Sequence, residues 1–203
     1  MRARHFAVWT LLVLAACAAA PGAGDSSQTE EALRASFRAR GQAGLDRLQQ
    51  TPLQRACSLA PGQDPPGEVR KRLEQDALER VQFPPDEHWL GDWRRGEKIA
   101  QSGVGLQFSD PPDGARGGNC YACHQLSGSE IAFGTIGPSL YRYRERAERN
   151  PDGVRRTWIR IWNAHAFNAC STMPRFGDAG ILTADQIRDL MALLLDPQSP
   201  VNR

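Results

Sequence analysis

Cys120-Tyr121-Ala122-Cys123-His124 is the stretch from which the rest of the chain can be read. Two cysteines separated by two residues, with a histidine directly after the second, form the attachment signature of a c-type haem. Each thiol adds across one vinyl group of the porphyrin, and the two intervening residues let both sulfurs reach the same edge. The adjacent histidine is then carried under the ring, where its imidazole can bind iron. A zinc half-site would need a second pair of ligands at short range, and none follows. A redox dithiol has no use for the histidine. One covalently bound haem c is the expected cofactor, held by Cys120 and Cys123, with His124 as an axial ligand.

An iron held by one histidine needs a sixth ligand or an open face. Ser171-Thr172-Met173-Pro174-Arg175-Phe176-Gly177 offers the thioether of Met173 in a loop bounded by proline and glycine. His/Met ligation raises the reduction potential and closes the iron to small ligands, which suits electron transfer. Three rivals stand beside it. Met191 falls in the apolar pattern Ile187, Leu190, Leu194, Leu195 and reads as core. His165 lies on the buried stripe of a helix, and Cys170 could bind as thiolate.

The 203 residues carry a formal net charge of +2, and Arg2 and Arg4 supply that excess from the extreme N-terminus. Such a balance gives no reason to expect a nucleic-acid partner. Met1 to about Gly24 reads as a secretory signal, with a basic start and a short apolar run from Phe6 to Ala16. The run is too short for a mature bilayer span. Leu14-Ala15-Ala16-Cys17 resembles a bacterial lipobox, which would leave Cys17 lipidated; an ordinary signal cut within Ala18–Gly24 is the alternative. Either route leads to an exported, oxidising compartment, the periplasm. Of the five cysteines, Cys17 then belongs to the leader or anchor and two go to haem. Cys57 and Cys170 remain as an even pair where disulfides form, and a bridge between them is expected.

Residues 25–85 read as a helical N-terminal extension and 86–203 as the main domain. From Glu30 the spacing of Leu33, Phe37, Leu45 and Leu48 is helical, weakened or broken by Gly41 and Gly44. Thr51-Pro52 starts a short helix through Cys57. A charged helix covers Glu68 to Val81, ended by Phe83-Pro84-Pro85. His88 reads as a surface residue. Asp92 caps a helix to Gln101, and a Pro/Gly-rich loop leads to the haem signature. Asn150-Pro151 predicts the cap and first residue of another helix, on which Trp158, Ile161, Trp162 and His165 share one stripe. Thr183-Ala184-Asp185-Gln186 is a capping box for a terminal helix to Leu195. Nothing alternates in the manner of a substantial sheet, so the fold class is all-α. Tyr141 to Arg160 is rich in arginine, most simply a solvated face, otherwise a patch for carboxylates.

Helix, C-x-x-C-H, Gly137-Pro138-Ser139-Leu140, helix, Met-Pro loop and terminal helix together resemble a class I cytochrome c. The resemblance implies that the Pro138 carbonyl accepts a hydrogen bond from Nδ1–H of His124, fixing the tautomer and orientation of the ring. More narrowly, Gly91–Asp110, Gly118–Leu140, Ser171–Gly177 and Leu194–Asn202 resemble the SoxX family, the monohaem subunits of SoxAX cytochromes. The extension with Cys57 is similar to a longer subgroup of that family. A lipobox departs from the family's usual soluble periplasmic state.

That resemblance implies a subunit of an L-cysteine S-thiosulfotransferase. Such a complex joins thiosulfate oxidatively to a cysteine of a SoxYZ carrier, releasing two electrons, with the sulfur chemistry on a SoxA-like haem subunit. This chain would have no catalytic residue of its own. It would accept electrons at the His124/Met173 haem and pass them to a small cytochrome c. Two other readings stay open: a free class I cytochrome c carrier, and a haem sensor or peroxidase-like protein, which would need an open iron face.

Overall fold

A computed structural model describes residues 26–59 and 63–203. Cys17 lies outside the described residues. Contacts divide the chain into two compact units that part between Arg38 and Ala39. The first unit contains helix α1, Ser26–Ser36, an exposed helix closed by a Ser36 hydroxyl that donates to the Ala32 carbonyl at 2.7 Å.

The second unit holds α2 (Pro52–Cys57), α3 (Gly67–Glu79), α4 (Trp93–Gln101), α5 (Tyr143–Glu148), α6 (Gly153–Trp162) and α7 (Ala184–Leu195). Among the described residues there is no strand, only an isolated bridge between Arg40 and Ala43. The protein is all-α, as its periodicity predicts. Among the same residues no helix is long and apolar enough to cross a membrane.

Local chemistry explains most boundaries. Thr51 and Thr183 each form a full capping box, with Gln54 and Gln186 respectively. The Asp92 carboxylate accepts from Arg94 N–H at 2.7 Å and starts α4. The helical spacing from Leu33 to Leu48 does not make one helix. Helix α1 ends at Ser36 and only a short 3-10 turn follows at Leu45–Leu48. Between them the chain turns at Gly41, whose φ of +53° suits glycine and whose missing Cβ would fall 2.0 Å from the Phe108 carbonyl oxygen. The helix expected from Asn150-Pro151 starts later, at Gly153, because the Asn150 side chain closes its own turn on Asp152 N–H at 2.9 Å. Helix α5 was not expected, and His165 lies beyond α6 in the single turn Ala164–Ala166.

The core forms where α4, α6 and α7 meet. Leu126, Trp158, Ile187, Met191 and Leu193 are fully buried, each stabilising the fold by roughly 1.5–3 kcal/mol relative to exposure. Gly96 lets α4 lie against α7: a Cβ there would fall 2.1 Å from the Asp189 carbonyl oxygen. Beside that crossing, Arg95 grips the buried Asp189 carboxylate with two N–H donors at 2.8 Å each. A row of rings, Phe83, Trp89, Trp158 and Trp162, runs from the end of the α3 segment into the core, with successive centroids 6.1, 5.7 and 5.8 Å apart.

Candidate functional site

The haem signature hangs from the C-terminal end of α4. Ile99 O, Ser102 O and Val104 O accept from Gly118, Asn119 and Gly117 N–H at 2.8, 2.9 and 2.8 Å. Asn119 enters the left-handed region (φ 47°) and turns the chain into the short helix Cys120–Ala122. His124 N–H donates to Cys120 O at 2.9 Å. The chain then loops out and returns, and Gly137 and Leu140 N–H donate to Cys123 O and Gln125 O at 2.8 and 2.7 Å.

That return brings Pro138 to the imidazole. His124 Nδ1 lies 2.7 Å from the Pro138 carbonyl oxygen. A carbonyl can only accept, so Nδ1 carries the proton and the lone pair of the neutral ring resides on Nε2. Such a second bond orients a ligating histidine and raises its basicity.

Cys120 and Cys123 are half-buried and not joined to each other as a disulfide. Before any attachment, burial pushes the Cys120 thiol up to about 12. Among the described residues no group of three or more His, Cys, Asp or Glu converges to cage a metal ion. The zinc reading therefore lacks its second pair of ligands there.

The surroundings fit a porphyrin. Ile131 is 102% exposed and Ile136 75%, with Phe133 between them, in the loop that packs on the signature through Gly134. Val104, Leu106 and Phe108 are also exposed, in the loop that precedes it. Apolar side chains exposed together mark a ligand or partner surface. On the methionine side, Trp162 Nε1 is a buried donor with no acceptor among the protein atoms, and a porphyrin carboxylate is an acceptor that would satisfy it.

Met173 lies half-buried in the loop after α6, packed against the core, and its N–H donates to Ser171 Oγ at 3.2 Å. The loop is anchored at its far end by the Trp162 carbonyl, which accepts from Gly177 and Asp178 N–H at 3.1 and 3.2 Å. Gly177 lies on the Trp162 ring, where a Cβ would come within 2.3 Å of Cδ2. The loop and the signature meet at Gly118. A Cβ there would lie 3.2 Å from Cys120 Sγ, 3.6 Å from the Phe176 ring and 3.7 Å from Leu182.

Of the rival ligands, Met191 and Cys170 are otherwise engaged, and His165 is buried and held by the backbone at the start of the methionine loop. Met191 is fully buried in α7. His165 is 7% exposed, and its Nδ1 donates to the Ala169 carbonyl at 2.7 Å. Cys170 is joined to Cys57 in a disulfide, with the α-carbons 5.5 Å apart. Much of the arginine-rich segment is tied up locally. Arg155 stacks on Phe83 at 3.7 Å, Arg156 and Arg160 on Phe167 at 4.7 and 4.5 Å, and Arg142 and Arg144 pair with Glu145 and Glu148.

Residues beyond those expected also shape the site. Glu74 Oε1 accepts from Ala169 N–H at 3.2 Å, and Arg80 Nε lies 3.7 Å from Asp178 Oδ1. In the sequence both look like members of a solvated helix face, and no motif marks them.

A family model described as cytochrome c matches residues 95–196. An uncharacterized lipoprotein of Aquifex aeolicus (strain VF5) is 37% identical over 153 residues, which covers 74% of this chain and 71% of the relative.

Proposed function

This chain belongs to the cytochrome c family, and from that premise we propose that it is the monohaem electron-transfer subunit of a SoxAX-type thiosulfate-oxidising complex. Family membership carries a covalently bound haem c and an electron-transfer role outside the cytoplasm. The haem, when bound, supplies a one-electron iron couple. The chain's own groups do the rest. Cys120 and Cys123 would hold the porphyrin covalently. His124 would bind the iron through the Nε2 that its Nδ1 bond to Pro138 O leaves unprotonated, and Met173 would supply the thioether ligand.

The observation that carries the electron-transfer reading is the 2.7 Å bond between His124 Nδ1 and Pro138 O. It commits the imidazole to one tautomer and leaves Nε2 as the ligand atom. The Met173 loop favours electron transfer over a sensor or peroxidase, which need an open iron face. The finer assignment is supported by the four stretches 91–110, 118–140, 171–177 and 194–202. In it, a SoxA-like haem subunit is the stable partner and a SoxYZ-like carrier the sulfur acceptor. Electrons leave to a small cytochrome c.

We also propose that Cys17 is lipidated, which holds the protein at the outer face of a membrane. The lipobox sequence and the lipoprotein relative support this reading. It also favours the alternative of a membrane-anchored cytochrome c carrier without a stable partner.

Purification from the native host separates the two. The complex predicts co-purification with a second haem subunit and haem reduction that requires both thiosulfate and the carrier. Purification alone, with no thiosulfate-dependent reduction, would leave the free carrier.

A further inference from the structure

We propose that α2 and α3 form a clasp on both ends of the methionine loop, with Glu74 as the positioning residue that sets how readily Met173 leaves the iron. This rests on the reading of Met173 as the sixth ligand. The clasp has links at each end of the loop. At the entrance, the Cys57–Cys170 disulfide ties α2 to the residue just after Ala169. Ala169 itself is fully buried and fixed by both its polar backbone atoms. Its N–H donates to Glu74 Oε1 of α3 at 3.2 Å, and its carbonyl accepts from His165 Nδ1 at 2.7 Å. At the exit, Arg80 Nε reaches Asp178 Oδ1 at 3.7 Å, while Arg175 holds the other oxygen at 3.4 Å.

The physical consequence is on an equilibrium. A thioether is a weak ligand, and an outside ligand binds only when the loop has swung Met173 away. The apparent affinity of that outside ligand is its intrinsic affinity multiplied by the fraction of loop-open protein. The Glu74 hydrogen bond and the Arg80 ion pair are made only in the closed arrangement, so each lowers the open fraction, while the disulfide persists in both and limits how far the loop entrance moves. Glu74 contributes a charge-assisted bond to a buried N–H, and the disulfide removes freedom from the loop entrance.

Imidazole, titrated into the ferric holoprotein and followed by loss of the thioether-to-iron absorption, reads the open fraction. Glu74→Ala is expected to bind imidazole about tenfold more tightly, the size of one such hydrogen bond. Glu74→Gln should restore most of the wild-type affinity, since its amide oxygen can still accept. Arg80→Gln, at the exposed exit link, should give a rise of about threefold. Lys71→Ala, on the same helix and paired with Glu68, should change nothing. The Cys57→Ser, Cys170→Ser double variant should also bind more tightly. A general structural role would lower melting in Glu74→Ala without moving imidazole affinity.

If Glu74→Ala and Arg80→Gln bind imidazole as wild type does, while Met173→Ala binds it more tightly, the clasp is overturned and the ligand reading stands. Should Met173→Ala itself bind no more tightly than wild type, both fall. If Glu74→Ala yields no holoprotein, Arg80→Gln and the double cysteine variant decide the question by the same titration.

Discussion

The His124 imidazole lies so close to Gly137 that a Cβ at position 137 would fall 2.1 Å from Cε1 and 2.4 Å from Nδ1. The ring, the glycine and the Pro138 carbonyl form one unit: the absent side chain makes the room in which the 2.7 Å bond to Nδ1 is made.

Gly137→Ala is therefore expected to displace the ring and break that bond. A shift of the backbone would also strain the Gly137 N–H bond to Cys123 O at 2.8 Å. The expected outcome is a fall in the yield of correctly ligated protein and a lower-affinity axial histidine, seen as a high-spin component in the ferric spectrum. An unaltered low-spin spectrum at full yield would remove the steric argument.

The Cys57–Cys170 bridge closes a loop of 113 residues in sequence. The chain-entropy model assigns about 5 kcal/mol to a loop of that length, an upper figure because covalent haem already restrains the denatured chain. Alkylation of the denatured, unreduced holoprotein should label neither residue. Reduction should lower the melting temperature. Two labelled thiols at positions 57 and 170 would rule the bridge out.

What could be read from sequence and what could not divide along the range of the interactions. The Cys120–His124 signature, the Thr51 cap, the Thr183 capping box and the glycines before the haem loop are legible because their chemistry is local. Each is a fixed spacing imposed by a ring, a helix turn or a vinyl pair. The Cys57–Cys170 pair was reached by counting, since a haem and a leader account for the other three cysteines. Glu74 was not legible. Its partner Ala169 lies 95 positions away, and a glutamate among charged neighbours carries no mark of it. Helix α6 starts two residues after the expected Pro151 because Asn150 can cap a helix or close its own turn, and only the packing of Gly153 on Ala147 decides between them. There, a Cβ would meet the Ala147 carbonyl oxygen at 2.0 Å.

His165 predicts a pH dependence. Burial holds its imidazole below the usual value of 6.5; Arg175 and Arg80 push the same way, while the Ala169 carbonyl and Asp178 oppose. Above 6.5 the ring is neutral in both folded and unfolded chains and adds no slope. As pH falls below 6.5 the unfolded chain takes up the proton first, so stability is lost until the pH passes the lowered folded value. Melting curves across that window should fall more steeply for the wild type than for His165→Gln. Parallel curves would show that His165 contributes nothing.

Mass spectrometry of the mature N-terminus tests the anchor. A diacylated or triacylated Cys17 is expected, since a single chain gives only marginal membrane binding. A free terminus anywhere beyond Cys17 would reject it.

The central claim is that Met173 closes the iron opposite His124, and the ferric spectrum of the purified holoprotein tests it most directly. The wild type should show the weak thioether-to-iron absorption toward the red end. Met173→Ala should lose that absorption, and its reduction potential should fall. If both survive the substitution, another residue holds the sixth position and the account of the site is wrong.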